Sequence, residues 1–160
     1  MSGSVNTSGL AELRTRIENA NNSIPELQRA AHERLGQVLQ RTVRGNISTS
    51  LNDSHGKIAS WQDIFVGSGG GYVAVRAATS PTGTNGAGAV TNYLENGHVK
   101  RQRRTYVRKQ TRNVRIIRAQ ASNNWVEGRH FYQKSKSAVQ QEVQREAENL
   151  ANQIARSLGG

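Results

Sequence analysis

Two long stretches of the chain carry apolar residues at the three- and four-residue spacing of an amphipathic helix. The first stretch places Leu27, Leu35 and Val43 on one stripe and predicts a helix over about residues 24–50. Glutamine and arginine occupy its opposite face, so one side is expected to pack and the other to be solvated. The second stretch predicts a C-terminal helix over about residues 129–157.

A shorter helix is predicted before the first long one. Apolar residues recur at helical spacing from Leu10 to Ile17, while residues 1–8 are small and polar, which predicts a flexible N-terminus. Ser23 stands three residues before a glutamate, and Pro25 is compatible with a first helical turn. This pattern predicts that the short helix ends near residue 22 and that a new helix starts directly after it.

The middle of the chain alternates β-forming runs with glycine-rich stretches. Residues 58–66 and 72–78 flank the cluster GSGGG and predict a hairpin, and residues 90–96 predict a helical turn or two that Gly97 stops. Residues 98–120 hold two further β-forming runs around a basic turn, which predicts a projecting arm. The expected fold is therefore α+β, with long N- and C-terminal helices packed on a small antiparallel sheet and a projecting basic β-hairpin arm.

Length and composition indicate one domain over residues 1–160. An apolar content of 34% suffices for a single modest core. The aromatic content of 5% and the mean hydropathy of -0.70 are low, which suggests that burial is completed against another subunit. There is no cysteine, no secretion signal and no apolar run long enough for a membrane span, so no membrane partner is expected.

The net charge of +11 is concentrated in one segment. Nine Lys or Arg side chains and no Asp or Glu lie between Lys100 and Arg118. Without these nine, 13 basic residues face 11 acidic ones, a difference of +2. From composition alone, phosphate neutralisation on nucleic acid is about evenly matched with two other interpretations, a solvated loop and a charged arm that docks on an acidic neighbouring subunit.

Residue types that catalyse reactions or bind metals are present, but not at the spacings that such sites need. The four histidines match no ligand motif, and His32, beside the polar face of a predicted helix, is expected to be solvated. No GxSxG frames a nucleophile, and the glycine cluster lacks the Gly-Lys-Ser/Thr ending of a phosphate loop. The sequence therefore predicts neither an enzyme nor a metal or cofactor site.

Two short stretches on either side of the basic segment resemble the signatures of a known protein family. The stretch TNYLENGH, with Tyr93, Glu95 and Gly97, is similar to the first signature of a phage tail-component family, typified by the gene-product-ten protein of a lambdoid coliphage. The stretch VEGRHFY, which begins at Val126, resembles its second signature, an aromatic-containing turn that starts the C-terminal helix. The order of elements is also similar over about residues 24–157.

This chain departs from the family in two respects. Arg129 and His130 stand where a proline or a similar residue commonly precedes the aromatic of the second signature. The basic insert is also longer than in many members.

The resemblance implies a structural role in the virion of a tailed bacteriophage. Members of the family are regarded as neck or tail-completion proteins, of the tail-terminator or head–tail joining type. They are expected to form a ring, here a hexamer, that caps the tail tube and joins it to the DNA-filled head. The implied partners are further copies of the chain, a neighbouring neck or connector ring and the tail-tube protein, after assembly in the host bacterial cytoplasm.

Two sets of residues are expected to carry this role. The signature set would pack the short helix against the C-terminal helix and set the entry to the arm. It comprises Tyr93, Leu94, Glu95, Gly97, Gly128, Phe131 and Tyr132. Within it, Gly97 would supply backbone freedom, and Glu95 would pair with Arg129 or with a neighbouring subunit.

The contact set would face either the DNA-carrying lumen or an acidic partner. It comprises Lys100, Arg101, Arg103, Arg104, Arg108, Lys109 and Arg112. The alternative function is that of a small nucleic-acid-binding protein that uses residues 98–120 on phosphates without sequence preference. No helix-turn-helix, zinc-finger or ribonucleoprotein motif indicates sequence-specific recognition.

Overall fold

The computed structural model of the chain describes residues 8–79, 83, 85–100 and 125–159. Its elements, in chain order, are α1 (Ser8–Ser50), α2 (Lys57–Ser60), β1 (Gln62–Val66), β2 (Val73–Ala77), α3 (Ala87–Asn96), β3 (His98–Val99), β4 (Trp125–Val126) and α4 (Phe131–Gly159). This mixture of long helices with small antiparallel sheets confirms the predicted α+β class.

The chain divides into two compact units. Unit 1 contains residues 1–78 and 131–160, and unit 2 contains residues 79–130. The expectation of one domain stays a prediction. The predicted flexible N-terminus falls largely on residues 1–7, which lie outside the described residues, and Ser8 already belongs to α1.

The N-terminal half of unit 1 is a single helix of 43 residues, so the predicted break at Ser23 is wrong. Pro25 lies inside α1, where it cannot donate to the carbonyl four residues earlier. The Ser23 hydroxyl does not cap a new helix; it donates back to the Ala20 carbonyl at 2.8 Å. Ala20 is buried, so packing on this turn offsets the cost of an interior proline and keeps the helix continuous.

Helix α4 packs antiparallel on α1, as two side-chain contacts along the pair show. Asn46 Nδ2 donates to Ser135 Oγ at 2.8 Å, and Arg34 forms an ion pair with Glu146 further along. The hydrogen bond from Arg34 lowers the pKa of the Glu146 carboxyl and raises the pKa of the guanidinium. Phe131, Ser135 and their neighbour at position 139 form the buried row of α4, which confirms the predicted C-terminal helix.

Strands β1 and β2 form the predicted hairpin, with Ile64 opposite Val75. The hairpin packs on α1 at Gly36, where an added Cβ would stand 2.6 Å from an Ile64 methyl group. The first strand starts later than predicted, because residues 57–60 form α2 instead. Its first turn is capped by Asp53, whose carboxylate accepts the backbone N–H groups of residues 57, 58 and 59 at 2.9–3.1 Å.

His32 is half-buried rather than solvated, which corrects the prediction for this residue. Its Nδ1 donates to the carbonyl of Gly70 in the hairpin turn. Gly70 has a φ of 72° and lies against the backbone and Cβ of Arg29, so the glycine turn reaches across to α1. Helical position alone could not predict this contact, because its partner is 38 residues away.

Gln62 joins three helices of unit 1 from a fully buried position. Its carbonyl accepts from Gln40 Nε2 at 2.7 Å and from an Arg44 Nη at 2.9 Å, which ties β1 to α1. Its side-chain Nε2 donates to the Ile58 carbonyl at 3.0 Å, and its Oε1 accepts from the Tyr132 hydroxyl of α4. Both polar atoms of this buried amide are therefore satisfied by other elements.

The Gln62→Leu variant is expected to lower the free energy of unfolding by about 2 kcal/mol, because it removes the hydrogen bonds of this buried side chain to the Ile58 carbonyl and to the Tyr132 hydroxyl. Tyr132→Phe, which removes only one of these bonds, is expected to cost about 1 kcal/mol. Urea unfolding of both single variants and the double variant gives the coupling energy. Strictly additive losses would contradict a direct bond between the two side chains.

Candidate functional site

Unit 2 begins with helix α3, which ends where the sequence predicts. The N–H of Gly97 donates to the Tyr93 carbonyl at 2.9 Å, and Gly97 has a φ of 85°. The positive φ confirms the predicted glycine stop. One row of α3 is buried, namely Ala87, Thr91 and Glu95, four residues apart.

The two stretches that flank the basic segment meet in a backbone joint. Strand β3 pairs antiparallel with β4, so that His98 lies opposite Val126 and Val99 lies opposite Trp125. Next to this pairing, two consecutive N–H groups donate to the end of α3. The Arg129 N–H donates to the Leu94 carbonyl at 2.7 Å, and the next N–H donates to the Glu95 carbonyl at 3.2 Å.

We call residues 94–99 and 125–130 the signature joint. The joint brings together two parts of the chain that are about 30 residues apart. The pairing places Val99 and Trp125, which flank the basic segment in sequence, opposite each other.

Two glycines make the close approach in the joint possible. A Cβ on Gly128 would stand 2.1 Å from the Glu95 carbonyl oxygen, far inside the contact distance of two atoms. A Cβ on Gly97 would stand 2.6 Å from the Val126 carbonyl oxygen, at a φ that side chains rarely adopt. Each of the two stretches therefore has a glycine at a position where two backbones come into contact.

His130 closes the joint in a strained conformation. It is the one non-glycine residue with positive φ in the part of the chain that the structure describes, at 54°. Its N–H is held by the Glu95 carbonyl, and α4 begins at the next residue. The left-handed conformation costs free energy, so the hydrogen bonds of the joint must hold it in place.

The remaining signature residues lie in both units. Tyr93 is exposed at 41%, with its ring 5.6 Å from that of His98 in unit 2. Phe131 is fully buried in unit 1 and lies 4.9 Å from the ring of Tyr132, whose hydroxyl binds Gln62. The predicted packing of the short helix on the C-terminal helix through these side chains stays a prediction.

The charged residues of the signature set and of the contact set are only partly described. The backbone N–H of Arg129 contacts Leu94, and pairing of its side chain with Glu95 stays a prediction. Of the contact set, Lys100 is described and exposed. The two predicted strands of the arm and its other cations lie outside the described residues, in the range 101–124.

The described ranges contain no group of three His, Asp or Glu side chains that could hold a metal ion. Within the same ranges, no helix has the length and apolar character to cross a membrane. Comparison of the chain with protein-family models, with curated proteins and with solved structures finds no match.

The Gly128→Ala variant is expected to open the signature joint, because its methyl group would overlap the Glu95 carbonyl oxygen. The amides of Arg129 and His130 should then lose about a hundredfold or more of their protection against hydrogen exchange.

Gly88→Ala is the matched control, since it lies in α3 of the same unit and its added Cβ meets nothing within 4 Å. This control is expected to keep the protection at both amides. Unchanged protection in Gly128→Ala would show that the close approach does not hold the joint.

Proposed function

We propose that this chain is a structural protein of a tailed bacteriophage that forms a ring at the neck, completes the tail and joins it to the head. The proposal rests on the two stretches that resemble the signatures of the phage tail-component family. The observation that carries it is their meeting in one backbone joint through β3, β4 and Gly128. Two separate motifs with a shared structural task support a resemblance better than two isolated matches do.

The joint also gives the basic segment a defined anchorage. The paired residues Val99 and Trp125 flank the part of the chain that contains the nine cations, and the rest of the chain is nearly neutral. In the proposed ring these cations face the DNA-carrying lumen or an acidic partner ring. We favour the partner, because DNA must slide through a neck, and strong retention on phosphates would obstruct its ejection.

A closed ring needs an interface that joins two different surfaces of the same chain and repeats by rotation. We propose a hexamer, with a neighbouring neck or connector ring and the tail-tube protein as further partners. The proposed role requires no catalysis and no cofactor. Its location is the head–tail interface of the virion, after assembly in the bacterial cytoplasm.

Disruption of the gene in its phage tests the proposal. The expected product is a mixture of DNA-filled heads and free tails, because the two are completed separately and this chain joins them. Electron microscopy of the lysate checks this outcome, with restoration by the intact gene as the control. Normal joined virions from the disrupted phage would refute the proposal.

A second test concerns the basic segment. Replacing four of its cations with serine is expected to leave the subunit folded and to reduce the yield of joined virions. The four residues are Arg103, Arg104, Arg108 and Lys109. The control variant removes four exposed cations from α1 and α4 instead, so that both variants have the same net charge. These four are Arg29, Arg41, Lys134 and Arg156.

Equal losses of joined virions in the two variants would show that total charge matters and that the segment has no special role.

Titration of both variants with duplex DNA at several salt concentrations tests the nucleic-acid alternative. Saturable binding with a salt slope close to the number of cations in the segment, lost only in the segment variant, would favour that alternative. Weak binding that does not saturate would count against it.

A further inference from the structure

The first turns of α1 extend beyond the end of α4. Arg34 lies opposite Glu146 in the antiparallel pair. Helix α4 ends at Gly159, which is 13 residues after Glu146. In an antiparallel pair, this end is level with the residue 13 positions before Arg34, which is position 21. Residues 8–19 of α1 therefore lie beyond the described end of α4, and at 1.5 Å per residue they span about 18 Å.

This free end of α1 carries an exposed apolar stripe. Leu10, Leu13 and Ile17 are exposed at 67%, 48% and 51%, although their spacing places them on one side of the helix. Two ion pairs flank the stripe and leave the free end without net charge. They join Arg14 to Glu18 and Arg16 to Glu12.

Unit 1 also contains an apolar groove of about 410 Å³ between α1, β2 and α4. Val43 and Val139 are buried at its floor, and Val143, exposed at 47%, lies at its rim. Lys136 is the one charged residue of its lining within the described ranges. Grooves of this kind accept an amphipathic helix through apolar side chains spaced by three, four or seven residues.

The stripe cannot reach the groove of its own molecule. Both lie on α1, where Ile17 and Leu39 are 22 residues apart, or about 33 Å along a continuous helix. A bend at Pro25 would not fold one half of the helix onto the other. Stripe and groove can therefore meet only between two copies of the chain.

We infer that the free end of α1 binds in the apolar groove of a second copy, with Leu10, Leu13 and Ile17 as its anchors. Charge is compatible with this occupant, because the two ion pairs leave the free end neutral, so that it has no net repulsion with the groove's Lys136. The contact joins two different surfaces, which is the type of interface that a ring requires. The inference names one contact between subunits of the proposed ring. It rests on the proposed function only for the location of that ring at the neck.

Cysteine cross-linking tests the contact directly, because the native chain has no cysteine. A tagged Leu13→Cys chain, mixed with Val143→Cys and mildly oxidised, is expected to form a disulfide-linked heterodimer. Gln141→Cys is the control partner, since it is exposed on nearly the opposite side of α4, two residues away. Equal yields for Val143→Cys and Gln141→Cys, or no cross-link with either, would overturn the inference.

Sedimentation of variants gives a second measurement. Leu13→Glu is expected to weaken self-association about tenfold or more, because it places a carboxylate among apolar groove residues. Asn19→Glu adds the same charge to the opposite, exposed side of the free end and is expected to associate like the native chain. Equal dissociation constants for these two variants would overturn the inference.

The outcome separates this inference from the proposed function. Specific cross-linking together with normal virions from the disrupted phage would refute the role at the neck and leave the contact intact. Separate heads and tails without specific cross-linking would support the role and place its subunit interface elsewhere.

Discussion

Helix α1 is the surface on which the other elements of unit 1 pack. Helices α2 and α4 and both strands of the β1–β2 hairpin lie against it, and the backbone carbonyl and side-chain amide of Gln62 together join α1, α2 and α4 at one buried point. Burial of both polar atoms of Gln62 is favourable only while all its partners stay in place. The continuity of α1 thus fixes the scaffold, and it also carries the exposed stripe of Leu10, Leu13 and Ile17 beyond α4.

The signature joint brings together the two stretches of unit 2 that flank the basic segment. Nine cations lie in sequence between Val99 and Trp125, so like charge is concentrated in this part of the chain. The pairing of Val99 with Trp125 forms a base on which this part of the chain begins and ends, and contact at Gly128 supports the pairing. Since each doubling of loop length costs only about 0.6 kcal/mol, such a base tolerates inserts of different length and charge. This is consistent with an insert that is longer than in many members of the family that the chain resembles.

Regular periodicity made most of the fold predictable. The stripes of α1 and α4, the glycine turn of the hairpin and the stop at Gly97 all follow from local spacing. The break at Ser23 was wrongly predicted because tertiary packing overrides the local signals of a cap and a proline. The contacts of His32 and Gln62 depend on partners far away in sequence. Gly128 could be identified from its motif, but its backbone contact required the fold.

The later turns of α1 are a scaffold, and we propose that its first turns are an assembly element. Hydrogen exchange in dilute and concentrated samples tests this most directly, because protection reports how rarely the helical hydrogen bonds of each part of α1 open. Amides of residues 27–50 are expected to be strongly protected in both samples, whereas amides of residues 10–20 are expected to gain protection in the concentrated one. Exchange of residues 10–20 at the same rate in both samples would contradict it.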